Sequence, residues 1–164
     1  MIVETMIAWV SAMPPWLATV LLSIAPMTES RLTIPLAVTV WHLPPVAAYC
    51  LAMIGNAIPF FPIFFGFRAA KLWAEQHAPW SVQWFDHALR RVQRKIGTQY
   101  ERWGLLAVFF FVAIPLPGTG VWSGALLAVV LELSWKRAAL VVLGGMFAMG
   151  AIVLMVTLAG RAAL

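Results

Sequence analysis

The hydrophobic pattern of the chain contains two apolar runs that are long enough to cross a membrane. Residues 46–66 and 138–160 carry no charged side chain. A helix rises about 1.5 Å per residue, so each run can span the roughly 30 Å of a hydrocarbon core. Both runs are therefore predicted to form transmembrane helices. Pro59 and Pro62 predict a kink in the second half of the first one.

Four other apolar runs are too short to cross. They occupy residues 14–27, 32–43, 104–117 and 121–133. A proline-marked break separates the runs of each pair, "PMTESR" in the first and "PLPGTG" in the second. This pattern predicts two re-entrant helical hairpins, in which the chain enters the bilayer, turns near the midplane and leaves on the same side. Backbone groups at such a turn must be buried in protein or line a watery cavity.

The two halves of the chain repeat. A shift of 90 residues places Leu43 on Leu133, Ala48 on Ala138 and Gly55 on Gly145. We therefore predict an all-α integral membrane protein with two inverted repeats, each a re-entrant helical hairpin plus a transmembrane helix. The inversion would bring the two hairpin tips together near the bilayer centre, as in secondary transporters. The single membrane domain, 1–164, then consists of repeat one (14–66), a basic amphipathic connector (67–103) and repeat two (104–160).

Composition and charge support a membrane location. The chain is 63% hydrophobic and only 10% charged, whereas soluble domains contain about 25% charged residues. All lysines and arginines except Arg31 and Arg161 lie in residues 68–102 or at positions 136 and 137. The positive-inside rule places these segments in the cytoplasm, which predicts a multi-pass protein of a prokaryotic inner membrane. The connector has an apolar stripe from Phe85 to Trp103, typical of a helix lying on anionic lipid, and does not suggest nucleic-acid binding.

Between residues 5 and 67, only Glu29 and Arg31 are charged. A charge at the bilayer centre costs at least about 2.5–3.5 kcal/mol, so this pair needs an explanation. In one interpretation, a salt bridge between them only fixes the hairpin tip. In a second, Arg31 binds an anionic headgroup while Glu29 exchanges a proton or an organic cation. In a third, both residues lie at the outer interface.

The second hairpin offers uncharged groups that favour an anion. The break contains Gly118, Thr119 and Gly120, whose hydroxyl and backbone N–H groups precede a helix N-terminus at about residue 121. The alternative for these glycines is close packing between hairpins. Asn56, inside the first span, either bonds to a neighbouring hairpin or touches substrate.

No nucleophile–base arrangement, metal-ligand spacing or cofactor motif is present, so we predict neither an enzyme nor a metal or cofactor site. The single cysteine, Cys50, lies in an apolar run and is predicted to be a small buried side chain.

Two motifs resemble a known family. "PMTESRLTIPLAV" and "AIPLPGTGVWSGALLA" are similar to the E-x-R-x-x-I-P-L and IPLPGTG-x-W-x-G-A elements of the small multidrug export family, a relative of the DedA, or VTT-domain, superfamily. The resemblance implies re-entrant hairpins. The name of the family implies drug export, whereas its DedA-like relatives imply transport of lipid carriers that is driven by the proton-motive force. Glu29 and Arg31 occupy the family's charged positions. Many DedA relatives carry further acidic residues where this chain has "PGTG", so a relay of two carboxylates is not expected.

These observations predict a small DedA-like secondary transporter for an amphipathic substrate. Because Arg31 favours an anion, we expect a lipid-phosphate or lipid-carrier substrate, with protons as a coupling partner and membrane lipids around the protein. The alternatives are a proton-coupled exporter of cationic drugs and a membrane assembly factor that transports nothing. Two spans and two hairpins bury little surface by themselves, and a homo-oligomer would bury more.

Overall fold

All secondary structure in the described part of the chain is helical. The computed structural model describes residues 13–77, 100–116 and 118–163. The helices are α1 (Pro15–Ile24), α2 (Glu29–Thr39), α3 (Pro45–Ala57), α4 (Phe60–His77), α5 (Tyr100–Ala113), α6 (Val121–Val130) and α7 (Trp135–Ala162). The all-α class is therefore confirmed for these residues.

Two stretches of helix are long and apolar enough to cross a membrane. They are α3 followed by α4, over Pro45–Ala74, and α7. The first stretch is interrupted at Ile58 and Pro59, where the N–H of Ile58 bonds to the carbonyl of Gly55 at 3.3 Å. Because Pro59 has no N–H, it cannot make the regular helical bond to that carbonyl. The interruption therefore lies at the first of the two prolines, while Pro62 is accommodated in the first turn of α4.

Short helices form in all four of the shorter apolar runs. Helices α1, α2 and α6 have 10 or 11 residues, so each is only about 15 Å long. Helix α5 has 14 residues, or about 21 Å. All are shorter than the roughly 30 Å hydrocarbon core. The element order of short helix, turn, short helix and long helical stretch therefore occurs twice, whereas the re-entrant path and the inversion stay predictions.

Helices continue across both ends of the predicted connector. Its start at residue 67 falls inside α4, which continues to His77. Its end at residue 103 falls inside α5, which begins at Tyr100. Gly66 and Gly104 adjoin these two positions, but both lie inside their helices, because a single glycine lowers helix stability by only about 1 kcal/mol and does not have to end a helix. The middle of the connector, including most of its predicted apolar stripe, lies outside the described residues.

The described residues divide into two compact units. Unit 1 contains α1, α2, α3 and the part of α7 that starts at Met146. Helix α3 packs against both α1 and α2. The contact with α1 is closest at Gly55, where a Cβ atom would lie 2.2 Å from the carbonyl oxygen of Val20. Only glycine permits this approach, which is typical of membrane helices that pack through small residues. The buried apolar core of unit 1 includes Ala18, Leu22, Ile34, Ala37, Val38, Ala48 and Met53.

Unit 2 contains α4, α5, α6 and the part of α7 that ends at Gly145. Helix α6 packs against α4 and α5, and the stacked rings of Phe60 and Phe64 lie 5.6 Å apart in the core. At Gly145, a Cβ atom would lie 2.7 Å from the carbonyl oxygen of Phe109 in α5. Gly55 and Gly145, which the 90-residue shift superposes, thus have the same role. Each lets the long helical stretch approach the backbone of the first short helix in its own half.

The prediction that Cys50 is buried is wrong, because its side chain is exposed. An apolar run in a membrane protein can place a small side chain toward lipid as readily as toward the core.

Candidate functional site

The turn between α1 and α2 is closed by its own backbone and by a threonine. The hydroxyl of Thr28 donates a hydrogen bond to the carbonyl of Leu22, near the end of α1. The N–H of Glu29 bonds to the carbonyl of Ala25 at 3.0 Å. These bonds satisfy groups that a helix end leaves open. They therefore reduce the number of open polar groups at the turn, which favours a location inside a membrane.

Glu29 begins α2 with an unusual backbone. Its φ angle is +40°, in the left-handed region that costs a residue other than glycine about 1–2 kcal/mol. The residue is also buried, with 4% of its surface exposed. A strained backbone at a buried carboxylate is the kind of outlier that is found at functional sites. The sequence alone gave no indication of this strain.

Arg31 connects Glu29 to helix α7. Its Nη2 atom lies 3.6 Å from the Oε2 atom of Glu29. Its Nε–H donates to the sulfur of Met149 at 3.2 Å. The arginine side chain is 18% exposed, against 5% for the glutamate. The pair therefore forms a mostly buried ion pair in which the arginine is the more accessible partner.

A second polar contact adjoins this pair. The side-chain amide of Asn56, on α3, donates from Nδ2 to the hydroxyl oxygen of Ser30 at 3.1 Å. Both residues are completely buried. The Oδ1 atom of Asn56 has no hydrogen-bond partner among the described residues. Exchanging the amide oxygen and nitrogen would let Ser30 donate to the oxygen but would leave the nitrogen unbonded instead. Either orientation leaves one buried polar atom of Asn56 without a partner among the described residues, and a ligand or a water that reached it could bond to it.

The other buried polar residues of unit 1 are satisfied within their own helices. The hydroxyl of Thr19 donates to the carbonyl of Pro15 at 2.7 Å, and the hydroxyl of Ser23 donates to the carbonyl of Thr19 at 2.8 Å. The hydroxyl of Thr33 donates to the carbonyl of Glu29 at 2.6 Å. Such bonds to the residue four positions earlier leave no donor for a ligand. The candidate site of unit 1 is therefore the group Glu29, Ser30, Arg31 and Asn56, which we call the polar cluster.

The second hairpin has a similar closure by a threonine. The hydroxyl of Thr119 lies 2.9 Å from the carbonyl oxygen of Ile114 and 2.8 Å from that of Leu116. Gly118 and Gly120 have φ angles of +86° and +145°, which side chains rarely permit. The Thr119 hydroxyl thus donates within its own turn, as Thr28 does in unit 1. The glycines are required by the turn conformation itself.

The structure brings together three of the six residues predicted to form the site. Glu29, Arg31 and Asn56 all belong to unit 1, whereas Gly118, Thr119 and Gly120 belong to unit 2. The expected meeting of the two hairpin tips stays a prediction. Sequence reasoning missed Ser30 and Met149. Ser30 adjoins Glu29 and Arg31 in "TESR", which was a usable signal, but nothing in an apolar helix singles out Met149.

Comparison with known proteins gives one family. A protein-family model described as "Putative small multi-drug export protein" matches residues 29–152, which is more than half of the chain. The matched range starts at Glu29 and includes all six residues predicted for the site. No curated protein matches the chain, and no solved structure matches it.

Proposed function

Because this chain belongs to the small multi-drug export protein family, we propose that it is a membrane transporter of small amphipathic molecules. The proposed architecture is a multi-pass inner-membrane protein with two inverted repeats. The repeated element order and the matching roles of Gly55 and Gly145 support the repeat. The two apolar helical stretches support the membrane location.

The observation that carries the proposal is the polar cluster. It contains a mostly buried ion pair and an asparagine with one unbonded polar atom, inside a unit whose other buried polar side chains bond within their own helices. Ionisable residues in a membrane segment are costly and usually mark a substrate or ion pathway. An ion pair with only a structural role would add little to the stability of the fold, because replacing a buried ion pair with apolar residues is often neutral or stabilising.

We propose that the substrate presents an anionic group, such as the phosphate of a lipid or lipid carrier, to Arg31. The arginine is the more exposed partner of the pair. Its Nε–H also bonds to a thioether, which is a weak acceptor. A phosphate oxygen would be a much stronger one. The unbonded polar atom of Asn56, which is buried in this structure, would bind a neutral polar part of the same headgroup once the headgroup enters.

Glu29 gives this binding a route to proton coupling. When a phosphate binds the guanidinium of Arg31, the carboxylate of Glu29 loses its ion-pair partner while it remains buried. A buried carboxylate without its partner favours the protonated form. Substrate binding would therefore be linked to proton uptake by Glu29, and substrate release to proton loss.

The family description favours a second candidate, the export of cationic drugs. A cation would bind Glu29 directly, and Arg31 would oppose it. In a third candidate, the chain is an assembly factor and the polar cluster only stabilises the hairpin. The three candidates make different predictions for the same two variants.

The test is flux in proteoliposomes containing the purified full chain, with and without a pH gradient. The substrates are a fluorescent polyprenyl phosphate, a fluorescent phospholipid and ethidium. We expect the phosphate substrate to be transported, and both Glu29→Gln and Arg31→Gln to reduce its flux at least tenfold. The exposed Arg161→Gln is the matched control and should transport as the wild type does.

Each other outcome selects against the proposal. Ethidium flux that Glu29→Gln abolishes and Arg31→Gln increases would establish the cationic exporter instead. If every variant and the wild type transport all three substrates equally, the polar cluster has no role in transport. Thermal unfolding of each variant in detergent separates lost flux from lost folding.

A further inference from the structure

Unit 2 contains a cavity that the proposed transport site does not use. Its volume is about 250 Å³, and it lies between α4, the end of α6 and the loop that follows α6. Its charged lining residues are Arg68, Lys71 and Glu132, and its apolar lining includes Phe64, Leu72 and Leu133. The cavity therefore combines a charged side with an apolar wall, which suits the junction between a lipid headgroup and its chains.

The charges of the cavity leave one cation for a ligand. The Nζ atom of Lys71 donates to a carboxylate oxygen of Glu132, with which it forms an ion pair. Arg68 forms no ion pair or side-chain hydrogen bond with any residue that the structure describes. Two basic groups and one carboxylate give the cavity a net charge of +1. An arginine fork is well suited to a phosphate, to which it can donate two parallel hydrogen bonds.

The sequence places this cavity at a membrane surface. Arg68 is the first charged residue after the charge-free run 46–66, followed by Lys71. The first charges after a transmembrane run mark the boundary between hydrocarbon and headgroups. Helix α4 also exposes large apolar side chains on both sides of Arg68, at Phe65 and Leu72. A ligand in the cavity would thus have lipid-facing surface beside it.

We propose that this cavity binds the headgroup of an anionic phospholipid, with the phosphate on Arg68. Ligand pockets that enclose whole drug-sized molecules measure roughly 300–1,000 Å³, so this smaller cavity holds a headgroup rather than a complete lipid. The acyl chains lie outside it, along the apolar surface of α4. The proposal goes beyond the transport function and does not depend on the polar cluster.

The experiment counts lipids bound to the detergent-solubilised full chain by native mass spectrometry. The probes are phosphatidylglycerol, phosphatidylcholine and the free headgroup analogue glycerol 3-phosphate. We expect phosphatidylglycerol to bind most tightly, and Arg68→Gln to weaken its binding about tenfold, which corresponds to about 1.4 kcal/mol. The exposed Lys136→Gln removes the same charge outside the cavity and should change binding less than about twofold.

Two further variants make the test sharper. Glu132→Gln removes the negative charge from the cavity lining and should strengthen phosphatidylglycerol binding, while Arg68→Lys should retain part of the affinity. If the wild type and Arg68→Gln bind phosphatidylglycerol equally, the proposal is overturned. It is also overturned if the wild type binds phosphatidylcholine as tightly as phosphatidylglycerol. Glycerol 3-phosphate binding as tightly as the lipid would show a soluble phosphate site instead. Normal lipid binding in Glu29→Gln, with flux lost, would separate this site from the transport site.

Discussion

The close approach of α3 to α1 at Gly55 predicts a large effect of a single added methyl group. In Gly55→Ala, the new Cβ would lie 2.2 Å from the carbonyl oxygen of Val20 and 2.9 Å from the Cβ of Ser23. Ordinary contacts start near 3.4 Å, so α1 and α3 must separate by about 1 Å. Because the first obstacle is backbone, no side-chain rotation relieves it. Overpacking of this kind costs about 1–3 kcal/mol, which exceeds the roughly 0.5–1 kcal/mol that alanine gains over glycine in a helix.

The measurement is thermal unfolding in detergent, with Gly66→Ala as the matched control. Nothing lies within 4 Å of a Cβ at position 66. The control therefore only gains the helix stability that alanine has over glycine, and it should raise Tm slightly. We expect Gly55→Ala to lower Tm by up to about 10 °C, because a net cost of up to about 2.5 kcal/mol shifts Tm by about 2–4 °C per kcal/mol for a chain of this size. If the two variants shift Tm alike, the contact between α1 and α3 is not as close as described.

The remaining predictions concern a turn, a buried pair and a surface pair. Gly120→Ala should lower Tm by several degrees, because φ of +145° is nearly restricted to glycine and costs other residues about 1–3 kcal/mol; an unchanged Tm would contradict this. The double variant Asn56→Leu with Ser30→Ala removes both buried partners and should keep Tm within a few degrees while flux of the phosphate substrate falls; retained flux would remove Asn56 from the site. A double-mutant cycle on Lys71 and Glu132, both partly exposed, should give a coupling below about 1 kcal/mol in thermal unfolding, and a larger value would mean that the pair is desolvated.

Several helix limits in unit 1 could be predicted from the sequence because they coincide with prolines. Pro15 and Pro45 start α1 and α3, and Pro59 interrupts the first long stretch. The ends of the connector were not predictable in the same way. At residues 67 and 103 polarity changes beside Gly66 and Gly104, but single glycines are tolerated inside a helix, so α4 and α5 continue through the predicted boundaries.

The candidate site was predictable only in part. A glutamate and an arginine in an otherwise charge-free region are readily recognised as candidate site residues. They lie together, as the interpretation with a salt bridge between them required. The partner of Asn56 could not be read from the sequence, because Ser30 is 26 residues away and many pairings of short helices are possible. The positive φ of Glu29 depends on the path of the turn, which residue preferences do not specify.

The most direct test of the account asks whether the first hairpin turn lies inside the membrane. In a Cys50→Ala background, single cysteines replace Met27, at the turn, and Val40, just past the end of α2; both positions are exposed at the protein surface. A membrane-impermeant maleimide is added to right-side-out vesicles, and the labelling rates are compared. The account predicts fast labelling at position 40 and little or none at position 27, where the exposed side chain faces lipid. Equal, rapid labelling at both positions would make residues 25–28 an external loop and would contradict the intramembrane location of Glu29 and Arg31.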